Sequence, residues 1–187
     1  MFEQTDQREF VHRVDPDGRI CYVNDNWLAF AAENEWPVAA SDVVGTRLVD
    51  AISDPETQHL YQLLQQRVRA GGGPVQFQYR CDAPDCRRLL RMEMRYEKDW
   101  GALEFRSRVL LIERREPVRL LRADRATRGS SPLPICGWCK AVWVGSGWLE
   151  VEQAVLRLRL FADDALPRLS HGICPTCSER LTALAEA

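Results

Sequence analysis

Apolar and polar positions alternate along the first 117 residues at strand spacing in some stretches and helical spacing in others. Phe10, Val11 and Val14 run into Asp15-Pro16-Asp17-Gly18, after which Ile20, Tyr22 and Val23 resume. Two strand-like runs around a tight-turn tetrapeptide predict a hairpin with strands near 10–14 and 19–24. Asn24-Asp25-Asn26 then offers a helix cap, and Trp27, Leu28, Phe30 and Ala31 follow at helical spacing to about Asn34. From Ser41 to Ile52 the pattern is irregular, with Gly45 as a break. Asp54-Pro55-Glu56 is a helix start with Asp as cap and Pro in the first turn, and Leu60, Leu63, Leu64 and Val68 draw an apolar stripe up to Gly71-Gly72-Gly73-Pro74. Three strand candidates follow, Val75–Cys81, Arg87–Tyr96 and Ala102–Glu113, joined by turns at 81–86 and 98–101.

Two strands, a helical block and three consecutive strands predict an α+β domain, an antiparallel sheet covered on one face by helices. Glu116-Pro117 closes this part. An Arg-rich stretch with Arg119, Arg122, Arg125 and Arg128 then runs into Gly129-Ser130-Ser131-Pro132, which reads as a flexible joint. The division expected is therefore a domain over 1–117, a linker over 118–132 and a small module over 133–187.

Composition narrows the class. The chain has 187 residues, 45% hydrophobic and 28% charged, with a net charge of −2, an ordinary globular composition. So even a balance gives no general reason to expect polyanion binding outside a local patch. No apolar run approaches the roughly 20 residues of a bilayer span, and MFEQTDQREF lacks the regions of a signal peptide, so a cytoplasmic protein with no membrane contact is expected.

The seven cysteines carry the candidate chemistry. Four of them form two CxxC pairs, Cys136-Gly137-Trp138-Cys139 and Cys174-Pro175-Thr176-Cys177, with 34 residues between. Each pair turns two sulfurs to one side, and two pairs can surround one tetrahedral zinc ion. The gap is longer than that of a compact zinc ribbon and holds structure of its own. Val142–Val144, Gly145-Ser146-Gly147 and Trp148-Leu149 read as a hairpin, Val151–Phe161 as a helix, and the residues after Cys174 as a second helix. A cysteine knuckle, a hairpin and a helix that starts on ligands form a treble-clef arrangement. Four sulfurs close the coordination shell, so the expected role is one structural zinc. A thiol redox switch or a redox enzyme using the CxxC pairs is the alternative from another class. His171, three residues before Cys174, is expected to hydrogen-bond near the site, with a ligand role as the lesser option. Cys21 is expected in the core, and Cys81 and Cys86 as two exposed thiols in a turn.

The run Asp15, Gly18, Ile20, Val23, Asn24, the Trp27 helix and the Val44-Gly45 step resemble a PAS sensory domain over roughly residues 8–115. That resemblance implies a five-stranded sheet cupping a ligand pocket, of unknown ligand, under short helices, with sensing or dimerisation as the role. Trp27, Phe30, Tyr61 and Phe77 are candidate pocket residues, and His59 is the candidate for a heme-binding variant. Residues 133–181 are similar to a cysteine-rich tail found after PAS domains and in bacterial two-component signalling proteins, through Ile135-Cys136-x-x-Cys139-Lys140 and His171-Gly172-Ile173-Cys174-Pro175-x-Cys177. The loop Ala141–Ser146 departs from that pattern by being short. No nucleophile set, phosphate loop or carboxylate pair stands out. The expectation is a non-catalytic regulatory protein that contacts a protein partner, with a homodimer as a further option. Nine Lys+Arg against seven Asp+Glu in 118–187 disfavour nucleic acid.

Overall fold

A computed structural model describes residues 7–122, 128–160 and 166–187. The N-terminal hairpin forms as the sequence predicts, with strands β1 (Glu9–Val14) and β2 (Ile20–Val23). Asp15 Oδ1 accepts from the N–H groups of Asp17 and Arg19, each at 2.9 Å, and Gly18 takes the left-handed conformation (φ 78°) that the turn demands. Asn24 then performs two tasks. Its Oδ1 caps helix α1 (Asp25–Glu33) by accepting from Trp27 N–H at 2.9 Å, and also accepts from Val11 N–H at 3.0 Å, tying the helix start to β1.

A short helix α2 (Ala40–Val43) and a 3-10 turn (Leu48–Ala51) fill the irregular stretch. Helix α3 (Pro55–Arg69) begins where expected, with Asp54 Oδ2 accepting from Thr57 N–H at 2.8 Å. Its stripe of Leu60, Leu64 and Val68 is buried against Val14, Met94, Leu103 and Phe105. Strands β3 (Val75–Arg80), β4 (Cys86–Glu97) and β5 (Ala102–Arg114) complete a five-stranded, wholly antiparallel sheet in the order β2-β1-β5-β4-β3. This mixed α+β layer, helices on one face, is the predicted one. The other face is polar: Glu104 is buried there among Arg13, Arg95 and Arg106, with N···O distances of 2.7–3.0 Å.

After a 3-10 turn at Arg119–Leu121 the second unit begins. Strand β6 (Arg128–Cys136) leads to the short strands β7 (Val142–Trp143) and β8 (Trp148–Leu149), helix α4 (Val151–Arg157), strand β9 (Leu166–Gly172) and helix α5 (Pro175–Glu186). These strands make a second sheet, β8-β7-β6-β9, in which β6 and β9 run parallel. Among the described residues no helix is long and apolar enough to cross a membrane.

Several expectations are corrected here. Gly129–Pro132, read as a flexible joint, belongs to β6; Pro132 and Pro134 are tolerated there because β7 pairs only at Ile135, leaving the rest of that edge without a ladder. Val118 and Leu120, read as linker, are buried with Ile135, Val142, Val151 and Ala154 in the core of the second unit. Cys21 is exposed rather than core, because β2 is a short edge strand that buries only its end residues, Ile20 and Val23. Conversely Cys86 is buried and Cys81 half-buried, since Cys86 opens β4 on its buried face. Arg125, Phe161 and the N-terminal hexapeptide lie outside the described residues.

Candidate metal centre

The parallel pairing of β6 with β9 is what assembles the site. It sets Cys136 opposite Gly172, so the two CxxC segments leave the sheet side by side. The first segment folds into a knuckle. Lys140 N–H returns to Cys136 O at 3.0 Å, Gly137 N–H bonds Gly172 O at 2.8 Å, and Lys140 adopts φ 63°, with its Nζ donating to Gly137 O at 3.0 Å. The second segment is the start of α5, with Cys174 as N-cap, Pro175 in the first turn, and Cys177 and Ser178 N–H both bonding Cys174 O at 3.0 Å.

The sulfurs of Cys136, Cys139, Cys174 and Cys177 consequently lie within 4.8 Å of one another. Zn–S bonds of about 2.3 Å in a tetrahedron require S···S edges of about 3.8 Å, and Cys139 Sγ to Cys174 Sγ is 3.7 Å. That is far beyond the roughly 2.05 Å of a disulfide. The donor set thus fits a four-coordinate ion, and the four cysteines can hold a metal. Sulfhydryls of Cys139 and Cys177 hydrogen-bond to Cys136 Sγ, as do the N–H groups of Cys139 and Cys174, and together they pull the Cys136 thiol well below its ordinary pKa despite its burial. His171 is not in the cluster; it lies on β9 opposite Ile135.

The knuckle is buried against the first unit. Trp138, only 4% exposed, stacks on Tyr61 of α3 with centroids 5.3 Å apart and meets Phe77 of β3 edge-on at 5.0 Å. Its carbonyl accepts from Arg80 N–H at 2.7 Å, extending the edge strand β3 onto the knuckle, while Arg180 of α5 donates to Gln78 O at 3.0 Å. Cys136, Cys174, Cys177, Ile173 and Leu181 share one hydrophobic cluster with Leu64, Met92 and Phe105. On the concave face, burial pushes Tyr61 up to about 12 and drives the His12 imidazole, stacked on Phe105 at 4.6 Å, down to about 4.

The candidate pocket residues therefore divide. Tyr61 and Phe77 meet, but the ring between them is Trp138. Phe30 lies elsewhere, stacked on Phe10 at 4.3 Å beneath the Arg88 guanidinium at 5.0 Å, and Trp27 is edge-on to Trp36 at 5.7 Å. His59 is on the exposed side of α3.

Ion pairs between residues far apart in the chain fasten the start of α4 to the sheet, which is why no local pattern announces them. Asp82, its side chain wholly buried, pairs with Arg80 and with Arg115 at 3.2 Å. Arg80 reaches Glu150 at 2.7 Å, and Glu152 takes Arg115 at 2.7 Å and Arg87 at 2.9 Å. Burial pushes the Glu152 carboxyl up, but hydrogen bonds from Arg87, its own backbone N–H and Arg115 outweigh it and bring the group from 4.5 to about 2. A depressed folded-state pKa stabilises above the unfolded value and loses that contribution as pH falls from 4.5 towards 2. Glu152→Gln is thus expected to flatten the acid limb of stability over that window. Urea midpoints measured against pH would run parallel for the two proteins if these pairs contributed nothing.

No family model matches the chain, and no curated protein matches it. A solved structure of a sensory box sensor histidine kinase from Vibrio cholerae is similar over 60% of this chain and 85% of its own, at 8% identity and a TM-score of 0.37. Fold and site define an α+β protein whose five-stranded antiparallel sheet is packed against a unit with a four-cysteine cluster able to hold a metal ion.

Proposed function

We propose that this chain is a non-catalytic regulatory protein of the bacterial signalling type, a PAS-like sheet domain joined to a treble-clef module stapled by one structural zinc ion. The observation that carries the reading is the sulfur cluster. Two CxxC turns converge on one point, and four thiolates fill a tetrahedral shell, leaving no position for the water or substrate that catalytic zinc needs. The sequence resemblance to PAS domains, together with a sheet of the expected size and direction, supports the sensory assignment. In this reading the module both completes the domain and presents a surface to a protein partner.

Trp138 refines the sensing side. The space between Tyr61 and Phe77, where the PAS resemblance puts a ligand, is occupied by a residue from inside the metal knuckle. State of the metal site and state of the concave face are therefore linked, and the module acts as the domain's own resident ligand. Protein purified under reducing conditions is expected to carry one tightly held zinc per chain by elemental analysis, with Cys136, Cys139, Cys174 and Cys177 protected from alkylation until a chelator is added. Metal-free protein with those four thiols reactive, still folded, would overturn the reading.

A further inference from the structure

A second concavity lies beside the metal knuckle, at the seam between the two units. It is a cleft of about 750 Å³, within the range of small-molecule sites, bounded by Ser53 just before α3, by Lys140 of the knuckle, and by Arg168, Ser170 and His171 of β9. Arg122 also faces it. The acid in its wall is Asp82, whose carboxylate is wholly buried and already paired with Arg80 and Arg115, so it does not offset the cations.

Charge and geometry here are complementary to a phosphate. Lys140 spends one of its three N–H donors on Gly137 O, which holds the ammonium in place and leaves two for a ligand. Arg168 adds a planar fork, and Ser53 and Ser170 add hydroxyls, the donor types that surround phosphoryl oxygens. Lys140 and Arg168 give the walls of the cleft a positive potential. Concave walls of one sign focus that potential. Leu121 and Leu169 give the same cleft an apolar side. We propose that this cleft binds a small phosphate-bearing ligand, its phosphate held by Lys140, Arg168 and Ser170. The near-even charge of residues 118–187 as a whole argues for a local site and against a nucleic-acid track.

Calorimetric titration of the full, metal-loaded chain with pyrophosphate, and separately with ADP, tests the proposal. Saturable binding at one site per chain is expected, weakened about tenfold or more by Arg168→Gln and by Lys140→Gln. Arg108→Gln, on the opposite face of the sheet, is expected to change nothing. Equal affinities assign the site to free phosphates, whereas tighter ADP binding assigns it to a phosphorylated organic ligand that uses the apolar side. No saturable binding, equal loss with Arg108→Gln, or tighter binding of a single-stranded oligonucleotide whose affinity grows with length would overturn it. Metal content and melting temperature are measured for each variant. If Lys140→Gln sheds metal, Arg168→Gln, on an exposed strand position outside the sulfur cluster, decides the outcome. The site is independent of the sensory reading, because its test does not involve the concave face.

Discussion

Stripping the proposed zinc from the four-cysteine cluster, by chelator under reducing conditions or by Cys174→Ser, is expected to destabilise the C-terminal unit and the concave face of the sheet together, in one transition. Among the described residues, the cluster that the unit buries apart from the sheet is small: Val118, Leu120, Ile135, Val142, Val151, Ala154, Leu160 and Leu166. Cores of that size seldom hold a fold without a staple. Structural zinc in small modules contributes roughly 10–16 kcal/mol of apparent binding energy, comparable with the whole net stability of a domain. Because Cys136, Trp138, Cys174 and Cys177 are built into the cluster that includes Leu64 and Phe105, the loss does not stay in the module. A net loss of about 5 kcal/mol lowers the melting temperature of a chain this long by on the order of 10–20 °C. Circular dichroism and tryptophan fluorescence, followed together, are expected to shift by the same amount. An unchanged melting curve in reduced, metal-free protein would sink the idea, and two separated transitions would show that the units are uncoupled.

Much of this arrangement is legible from short-range pattern. The β1–β2 turn, the Asn24 and Asp54 caps, the α3 stripe and the three later strands each depend on residues within a few positions of one another, where periodicity and cap chemistry act. The ligand cysteines are legible for the same reason, since CxxC is itself a local turn. What sequence pattern could not supply is pairing over distance. Strand β9, Leu-Pro-Arg-Leu-Ser-His-Gly, buries little of its length, so it lacks the alternation that marks a strand, and its partner β6 lies more than 30 residues earlier. The parallel ladder between them is nevertheless what brings Cys136 and Cys174 together. The docked position of Trp138 is hidden likewise. Within its CxxC it reads as a filler residue, and only the fold reveals that the ring reaches across to Tyr61 and Phe77. Cys21 left its expected environment because the buried side of a short edge strand depends on a register that the hairpin turn alone does not set, and Cys86 because it opens the interior strand β4 on its buried face and is not part of the turn.

Trp138 is also the residue whose truncation separates packing from metal binding. Trp138→Ala removes a ring that is 4% exposed and touches both α3 and β3, a change that costs about 3–5 kcal/mol in a core that cannot collapse around the gap. The ligand sulfurs and the hydrogen bonds of the knuckle backbone are untouched, so zinc is expected to stay at one per chain while stability falls. Trp143→Ala is the control. That ring is 37% exposed and packs on Trp148 at 5.8 Å, and its loss is expected to cost about 1 kcal/mol or less. Trp138→Phe makes the sharper comparison. The indole Nε1–H is buried with no hydrogen-bond partner among the described residues, so phenylalanine gives up ring volume but also relieves an unpaired donor whose burial costs about 1–3 kcal/mol. The two effects oppose each other, and Trp138→Phe is expected to remain within about 1 kcal/mol of the parent in urea unfolding. A Phe variant as unstable as the Ala variant would mean that burying the indole N–H carries no such cost.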